Sequence, residues 1–448
     1  MPLVTRILSR SFGLHTLVAL AVASGAAPIR SETLAGAVDQ ALAASPEVAE
    51  AVNLWRARQE EVEGARAGFR PRVDLTAGFG YEYTDSPGSR ALGQDSIELD
   101  RGEFGVSARQ LLFDGFGTAS ELARQEARVA SAAAGLRAVA ESVAAKTAVA
   151  YVDLLRYREL EQLSGDSLQV HLRIQDQIRL RSDAGVGRRA DLDQVDARVA
   201  LAQANVIAAQ VNRADAETGY RRVVGRFPPS EAARPQVTVE RLPVTVDEAI
   251  ELAKLANPQI LGANADIEAA QESHRAAKQF NYPRLELEVG SNLDNNIDGA
   301  EGYRNEVEAM LRMRYNLYRG GADAAKVRET AYNITESKEV RNRAYRQLEE
   351  ALRLAWAALD ATTRQVPLLE AQIVAARATR DAYAKQFNIG QRTLIDLLNS
   401  ENEVLAARQA VVNAASDRLL AYYRVLEAMG RLVEHFGSET PVVATAGN

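Results

Sequence analysis

The stretch that decides the fold is EVEAMLRMRYNL, residues 306–317, in which apolar and polar side chains alternate. The apolar positions are Val307, Ala309, Leu311, Met313, Tyr315 and Leu317. The opposing positions are Glu306, Glu308, Arg312, Arg314 and Asn316. Strict alternation indicates a β-strand with two unlike faces. A segment of about ten residues with one apolar and one charged face is typical of a transmembrane β-strand, with lipid on one side and water on the other.

Three other segments repeat this alternation, so the sequence predicts four strands, at residues 72–84, 103–112, 284–293 and 305–318. For any one of them, an antiparallel sheet packed on a soluble core is the alternative. That alternative fits the four together poorly, because the long segments beside each pair cannot fold back compactly over a sheet. Four strands cannot close a barrel alone, and open sheet edges do not occur in lipid. Several copies are therefore expected to share one barrel, and the pattern alone allows two, three or four.

The two halves of the chain resemble each other. At an offset of 212 residues, the matching pairs are Thr33 with Thr245, Pro46 with Pro258 and Pro71-Arg72 with Pro283-Arg284. At an offset of 205 residues, Gly185 and Asp191 match Gly390 and Asp396. The sequence therefore predicts an internal duplication with copies at residues 27–227 and 245–432, a proline-rich linker at 228–244 and a tail at 433–448.

Each half reads as helix, two strands, very long helix, turn and helix. The segments after the strands are almost free of proline and dense in Ala, Leu, Arg, Gln and Glu, which favour helices. They predict long helices at 118–182 and 322–386, followed by helices at 188–224 and 391–430. Apolar residues that recur every seven positions, such as Leu122, Val129 and Leu136, indicate supercoiled packing. Pro367 is expected to bend the second long helix.

The first 26 residues predict a cleaved signal peptide, because Arg6 and Arg10 precede an apolar run at 17–23 and small residues at 24–26. A membrane anchor is the alternative, but the run is shorter than the ~20 apolar residues of a spanning helix. The chain has no cysteine, which excludes disulfides, thiolate metal sites, cysteine nucleophiles and a lipid-modified cysteine. The formal net charge is −7 without a long basic run, so nucleic acid is not an expected partner.

No catalytic, cofactor or metal site is predicted. Beyond the signal segment, His171, His274 and His435 are far apart and are interpreted as packing or surface residues. The segment FDGFGT at 113–118 looks like a nucleotide-binding turn, but the third glycine and the following strand are missing. Its repeat partner YRGG at 318–321 favours a joint at which a strand becomes a helix.

These features resemble the TolC family of outer-membrane channel-tunnel proteins over nearly the whole mature chain. The resemblance rests on the duplicated plan, the Pro-Arg pairs at strand starts, and the turn signatures AGVGRRADL at 184–192 and FNIGQRTLIDLLN at 387–399. It implies a mixed, mainly α fold: an internally duplicated α-barrel of long helices, plus four strands that contribute to a trimeric transmembrane β-barrel. It also implies a homotrimer in outer-membrane lipid with its helical part in the periplasm. The implied partners are a periplasmic adaptor (membrane fusion) protein and an inner-membrane ABC transporter or proton-driven pump.

The resemblance also implies functional residues at the helix turns. They are Asp191, Phe387, Arg392, Asp396 and Asn399 as a periplasmic gate, and Gly185 and Gly390 as adaptor-docking turns. Arg392 is expected to reach Asp191, and Asp396 is expected to form a ring of three carboxylates that attracts cations. The alternatives are an ordinary helix cap for each glycine and a solvated charge pair for Arg392 with Asp396.

The leading functional prediction is a trimeric exit duct for protein substrates of a type I (ABC transporter) secretion system. The absent lipidation cysteine and the stretch QLLFDGFG at 110–117 resemble that branch. The first alternative is the outer-membrane component of a tripartite drug efflux pump. A periplasmic coiled-coil adaptor without a pore would not need the alternating strands, and a periplasmic hydrolase would need a clustered nucleophile and base.

Overall fold

The computed structural model describes residues 32–91, 93, 95–237 and 242–439. The expected signal peptide at 1–26 lies outside the described residues, as do parts of the expected linker and tail. The helices are α1 (Leu34–Ala44), α2 (Pro46–Arg66), α3 (Pro87–Ala91), α4 (Gly117–Asp183), α5 (Arg189–Val224), α6 (Val246–Ala256), α7 (Pro258–Ala277), α8 (Ala322–Asn388), α9 (Leu394–Ala428) and α10 (Leu432–His435). The strands are β1 (Arg72–Thr84), β2 (Ile97–Phe113), β3 (Arg284–Ile297) and β4 (Ala300–Arg314).

Each half begins with two helices rather than the single helix expected from the sequence. The break comes at Pro46 in the first half and at Pro258 in the second, because the residue before a proline prefers an extended backbone. Proline then starts the next helix, where its missing N–H costs nothing. Ser45 and Asn257 cap these helices by accepting hydrogen bonds from the backbone N–H of Val48 and Gln259.

The four strands form one antiparallel sheet in the order β1-β2-β3-β4. The register aligns Leu75 with Val106, Val106 with Ser291, and Ser291 with Val307. Directly paired residues share a face, so the apolar positions expected from the four alternation patterns lie on the same side of the sheet. The outer edges of β1 and β4 have no strand partner among the described residues.

Several expected strand boundaries are wrong. β2 begins at Ile97 rather than at 103, because its pairing with β1 continues through residues 97–100, where the alternation has the opposite phase and puts Ile97 and Leu99 on the face of Glu103. β3 ends at Ile297 and β4 begins at Ala300, because the two residues between them have positive φ and form a tight turn. β4 ends at Arg314 instead of 318, because its last partner, Arg284, follows a proline that cannot extend the ladder.

The long helices α4 and α8 have 67 residues each, which at ~1.5 Å per residue gives about 100 Å. Helix α8 continues through Pro367 to Asn388, and the bend expected there stays a prediction. A large apolar core joins the middle of α4 and α8 to α1, α6 and the end of α9, around the fully buried Tyr151, Tyr220 and Tyr422. In the part of the chain that the structure describes, no helix is both long and apolar enough to span a membrane.

Candidate functional site

The apolar face of the sheet is bare in the single chain. Phe79 is 87% exposed, Val307 78% and Leu311 65%, although all three are large apolar side chains. Exposed tyrosines lie at both ends of the sheet: Tyr81, Tyr83 and Tyr303 at the hairpin end, and Tyr282, Tyr315 and Tyr318 at the helix end. An apolar band between two aromatic girdles is typical of strands that cross a membrane. The two girdles were not anticipated from the sequence, because they become visible only when the register aligns the strands.

The opposite face of the sheet is charged and crossed by ion pairs. Arg312 donates to Glu288 at 2.7 Å from the neighbouring strand. Arg101 contacts Glu82 at 2.6 Å in the same way. These cross-strand pairs neutralise their own members and leave other charged and polar groups toward solvent. This face is therefore compatible with a water-filled space and incompatible with lipid.

Two left-handed joints connect the sheet to the long helices. Gly115 and Phe116 precede α4 with φ of 69° and 67°, and Gly320 and Gly321 precede α8 with φ of 63° and 86°. Asp114 accepts hydrogen bonds from the backbone N–H and hydroxyl of Thr118 and so caps the first turn of α4. The glycine-rich segment at 113–118 thus acts as a strand-to-helix joint in this structure.

The turns at the far ends of the long helices contain the two glycines expected to dock an adaptor. Gly185, between α4 and α5, has φ of 72°, and Gly390, between α8 and α9, has φ of 75°. A Cβ atom at either position would meet nothing within 4 Å, so the left-handed backbone rather than crowding favours glycine there. The nearby apolar side chains of Leu180, Val186 and Ile389 are exposed.

Arg392 and Asp396 lie together at the start of α9. Arg392 Nη1 is 3.8 Å from Asp396 Oδ2, its Nε donates to Gln386 Oε1 at 2.9 Å, and its guanidinium lies 4.3 Å from the ring centroid of Tyr383. Asp396 and Thr393 form a reciprocal capping box. The pKa of Asp396 is lowered, first because the Thr393 hydroxyl and backbone N–H donate to its carboxylate and further because Arg392 is near.

The other expected gate residues lie on α8, α5 and α9, and Asn399 is within one helical turn of Asp396. Phe387 is buried in a small core at the turns, with Arg181 stacked 4.9 Å from its ring centroid. Asn399 is exposed on α9, and Asp191 is half-buried in the first turn of α5. Among the described residues, no ion pair within one chain joins Arg392 to Asp191, so that contact stays a prediction. The partners Gln386 and Tyr383 were missed, because only the turn geometry brings them to Arg392.

The histidines take part in packing contacts. His171 is buried, with Nδ1 2.8 Å from the carbonyl oxygen of Ser167, and His274 Nδ1 lies 2.9 Å from the Thr330 hydroxyl. The ring of His435 packs against Tyr422 at 5.5 Å between centroids. Over the residues that the structure describes, no group of three His, Asp or Glu side chains could hold a metal ion.

A sheet with one lipid-compatible face, attached to helices of about 100 Å, defines a membrane protein with a long helical extension. The sequence profile described as "Outer membrane efflux protein" matches residues 37–226 and 249–431, and the chain belongs to this family. The protein is therefore an outer-membrane channel protein of the TolC type and not an enzyme. This family assignment also separates it from the periplasmic adaptors.

Several relatives cover most of the chain. The outer membrane efflux protein BepC of Brucella suis is 27% identical over 403 residues, which are 90% of this chain and 86% of BepC. The outer membrane protein TolC of Escherichia coli is 23% identical and covers 94% of this chain and 87% of its own length. The alkaline protease secretion protein AprF of Pseudomonas aeruginosa is 22% identical, over 88% of this chain and 83% of AprF.

The fold has solved counterparts. The crystal structure of a membrane protein from Pseudomonas aeruginosa superposes with a TM-score of 0.78 at 17% identity and covers 88% of this chain and 93% of its own. At that level of identity the likeness concerns the fold alone. The family and the fold together give an outer-membrane efflux or secretion channel.

Proposed function

We propose that three copies of this chain assemble into an exit duct that crosses the outer membrane and the periplasm and exports protein substrates of a type I secretion system. The observation that carries the proposal is the sheet, whose apolar face is exposed and whose two edges lack a strand partner in the described chain. Unpaired edges are not tolerated in lipid. Pairing of β4 with β1 of the next copy would satisfy both edges and turn the charged face toward a pore.

The choice of protein cargo rests on two sequence features and one relative. The chain has no cysteine that could carry a lipid, and the stretch QLLFDGFG at 110–117 resembles the secretion branch of the family. The relative AprF is named for the secretion of alkaline protease. The test compares the proteins in the culture medium of the wild-type and deletion strains. Loss of one or a few secreted proteins, restored by the gene, is the expected result.

Drug efflux is the second candidate, since the relative BepC is named as an efflux protein. The deletion strain separates the two functions. Unchanged secretion together with a lower tolerance of antibiotics or detergents would favour efflux and contradict the secretion proposal. Complementation with the intact gene controls for general damage to the outer membrane.

We also propose that the helix turns gate and dock the duct. Asp191, Phe387, Arg392, Asp396 and Asn399 would form the periplasmic gate, and the turns at Gly185 and Gly390 would contact a periplasmic adaptor that joins an inner-membrane transporter. Support comes from the exposed apolar side chains beside the glycines and from the polar contacts that hold Arg392. The wild-type protein is expected to copurify with the adaptor. Substitution of both glycines by bulky residues should abolish this copurification while trimers persist.

A further inference from the structure

The charged face of the sheet is divided into two zones of opposite sign. The three register rows next to the helices contain Arg72, Arg109, Arg284, Arg312 and Arg314, with the carboxylates of Glu286 and Glu288. We call these arginines the arginine zone. The next three rows contain one arginine, Arg304, with the acids Asp74, Glu103, Asp294, Glu306 and Glu308. The first zone is therefore net positive and the second net negative.

Within the arginine zone, the positive charges outnumber the carboxylates that hold them. The side chains of Glu286 and Glu288 are 13% and 14% exposed. Each has one close partner, Arg284 for Glu286 at 2.7 Å and Arg312 for Glu288 at 2.7 Å. Arg314 is 3.6 Å from both carboxylates.

Arg109 and Arg314 are thus the weakly held members of the zone. Arg109 approaches Glu288 only to 4.0 Å, and the side chains of Arg109 and Arg314 are 58% and 64% exposed. A guanidinium has five N–H donors in a planar fork, and the ion pairs here use few of them. Their remaining donors face the solvent on the charged side of the sheet.

We propose that the arginine zone binds the carboxylates of acidic polypeptide segments in transit. This inference rests on the proposed pore, since it requires the charged face to line a water-filled passage. Guanidinium groups carry the charge opposite to that of carboxylates and can donate two parallel hydrogen bonds to one carboxylate. A cavity of about 290 Å³ opens beside Arg284 and Arg314 at the sheet-to-helix joint; it is also lined by Asp114, whose carboxylate accepts hydrogen bonds from Thr118.

A polypeptide fits the zone better than a small anion does. Three copies around one axis would present three arginine zones, and a chain with several carboxylates can contact more than one of them. Linked contacts strengthen one another through effective concentration, which a small anion cannot use. The three net negative rows farther along the face would then repel the same segment and favour its release.

The test uses the double variant Arg109→Gln with Arg314→Gln. It leaves Glu286 and Glu288 with their closest partners, Arg284 and Arg312, so the sheet keeps its short ion pairs. The matched control, Arg101→Gln with Arg304→Gln, removes the same charge from the same face outside the arginine zone. A third variant, Arg109→Lys with Arg314→Lys, keeps the charge and removes the guanidinium fork.

Binding of fluorescent hexaglutamate to the purified detergent-solubilised protein is measured at low salt and at ~0.5 M salt, with citrate as competitor. We expect binding about tenfold weaker in the Gln double variant, an intermediate loss in the Lys variant and a change below about twofold in the control. Equal binding in the Gln variant and wild type would overturn the inference, and citrate binding as tight as hexaglutamate would overturn the polypeptide assignment. Conductance without peptide is recorded separately: its absence would contradict the pore, whereas conductance with no peptide binding would contradict this inference alone.

Discussion

The substitution Leu311→Arg tests which face of the sheet contacts lipid. Leu311 pairs with Leu287 across the sheet and is flanked on its own face by Ala309 and Met313. An arginine there would find no carboxylate in the neighbouring positions of that face. A charge in the hydrocarbon costs roughly 2–4 kcal/mol per copy, or roughly 6–12 kcal/mol for three copies. Even the lower value corresponds to about a 30-fold change in the equilibrium constant for membrane insertion of each copy.

The matched control is Met310→Arg, which introduces the same side chain one position away. Met310 lies on the charged face, directly opposite Glu288, so the new arginine meets water and a carboxylate. Trimer yield in outer-membrane fractions is measured by crosslinking and gel electrophoresis. Leu311→Arg should abolish most of the trimer, and Met310→Arg should keep it near wild type. Equal assembly of both variants would show that the assigned faces are wrong.

Three further outcomes are expected. Gly390→Ala should lower the free energy of unfolding by roughly 1–2 kcal/mol, because an L-residue must adopt a left-handed backbone there. Export should fall further than the trimer level does, and a parallel loss of both would favour a purely structural turn. Arg392→Ser should raise the resting conductance of intact trimers, and an unchanged conductance would reject its role in the gate. Burial raises the pKa of Glu141 to about 7, although the N–H groups of Leu432 and Val433 donate to its carboxylate. The folded state therefore binds a proton that the unfolded state releases, and the free energy of unfolding of the wild type should rise as the pH falls from 7 toward 4.5. Thermal melts of Glu141→Gln should lack this rise, and a wild-type midpoint that does not change over this range would contradict it.

The sequence predicts the sheet because alternation is a local property. Residues 306–317 need no knowledge of their neighbours to show two faces, and the register then aligns Leu75, Val106 and Val307 in one row. The strand ends are different, since they depend on partners. The turn between β3 and β4 requires positive φ at Asp298, and the start of β2 follows from its pairing with β1.

The candidate gate was predictable only in part. The expected helix from residue 391 places Arg392 and Asp396 on one helix face. In the structure α9 begins only at Leu394, so Arg392 precedes the helix, and the turn still brings the pair within 3.8 Å. The contacts of Arg392 with Gln386 and Tyr383 cross the turn, so their geometry depends on how α8 ends. The capping box of Thr393 with Asp396 was not anticipated from the sequence, and its effect on the Asp396 carboxylate follows from the hydrogen bonds that the structure shows.

The assembly and conductance of the purified protein test whether copies of this chain share one transmembrane pore. Crosslinking in detergent should yield a trimer, and insertion into a planar lipid bilayer should give stable single-channel currents. Multivalent cations added at the periplasmic side should block those currents, and this block should weaken in Asp396→Asn channels. A protein that remains monomeric and carries no current would contradict a shared transmembrane pore.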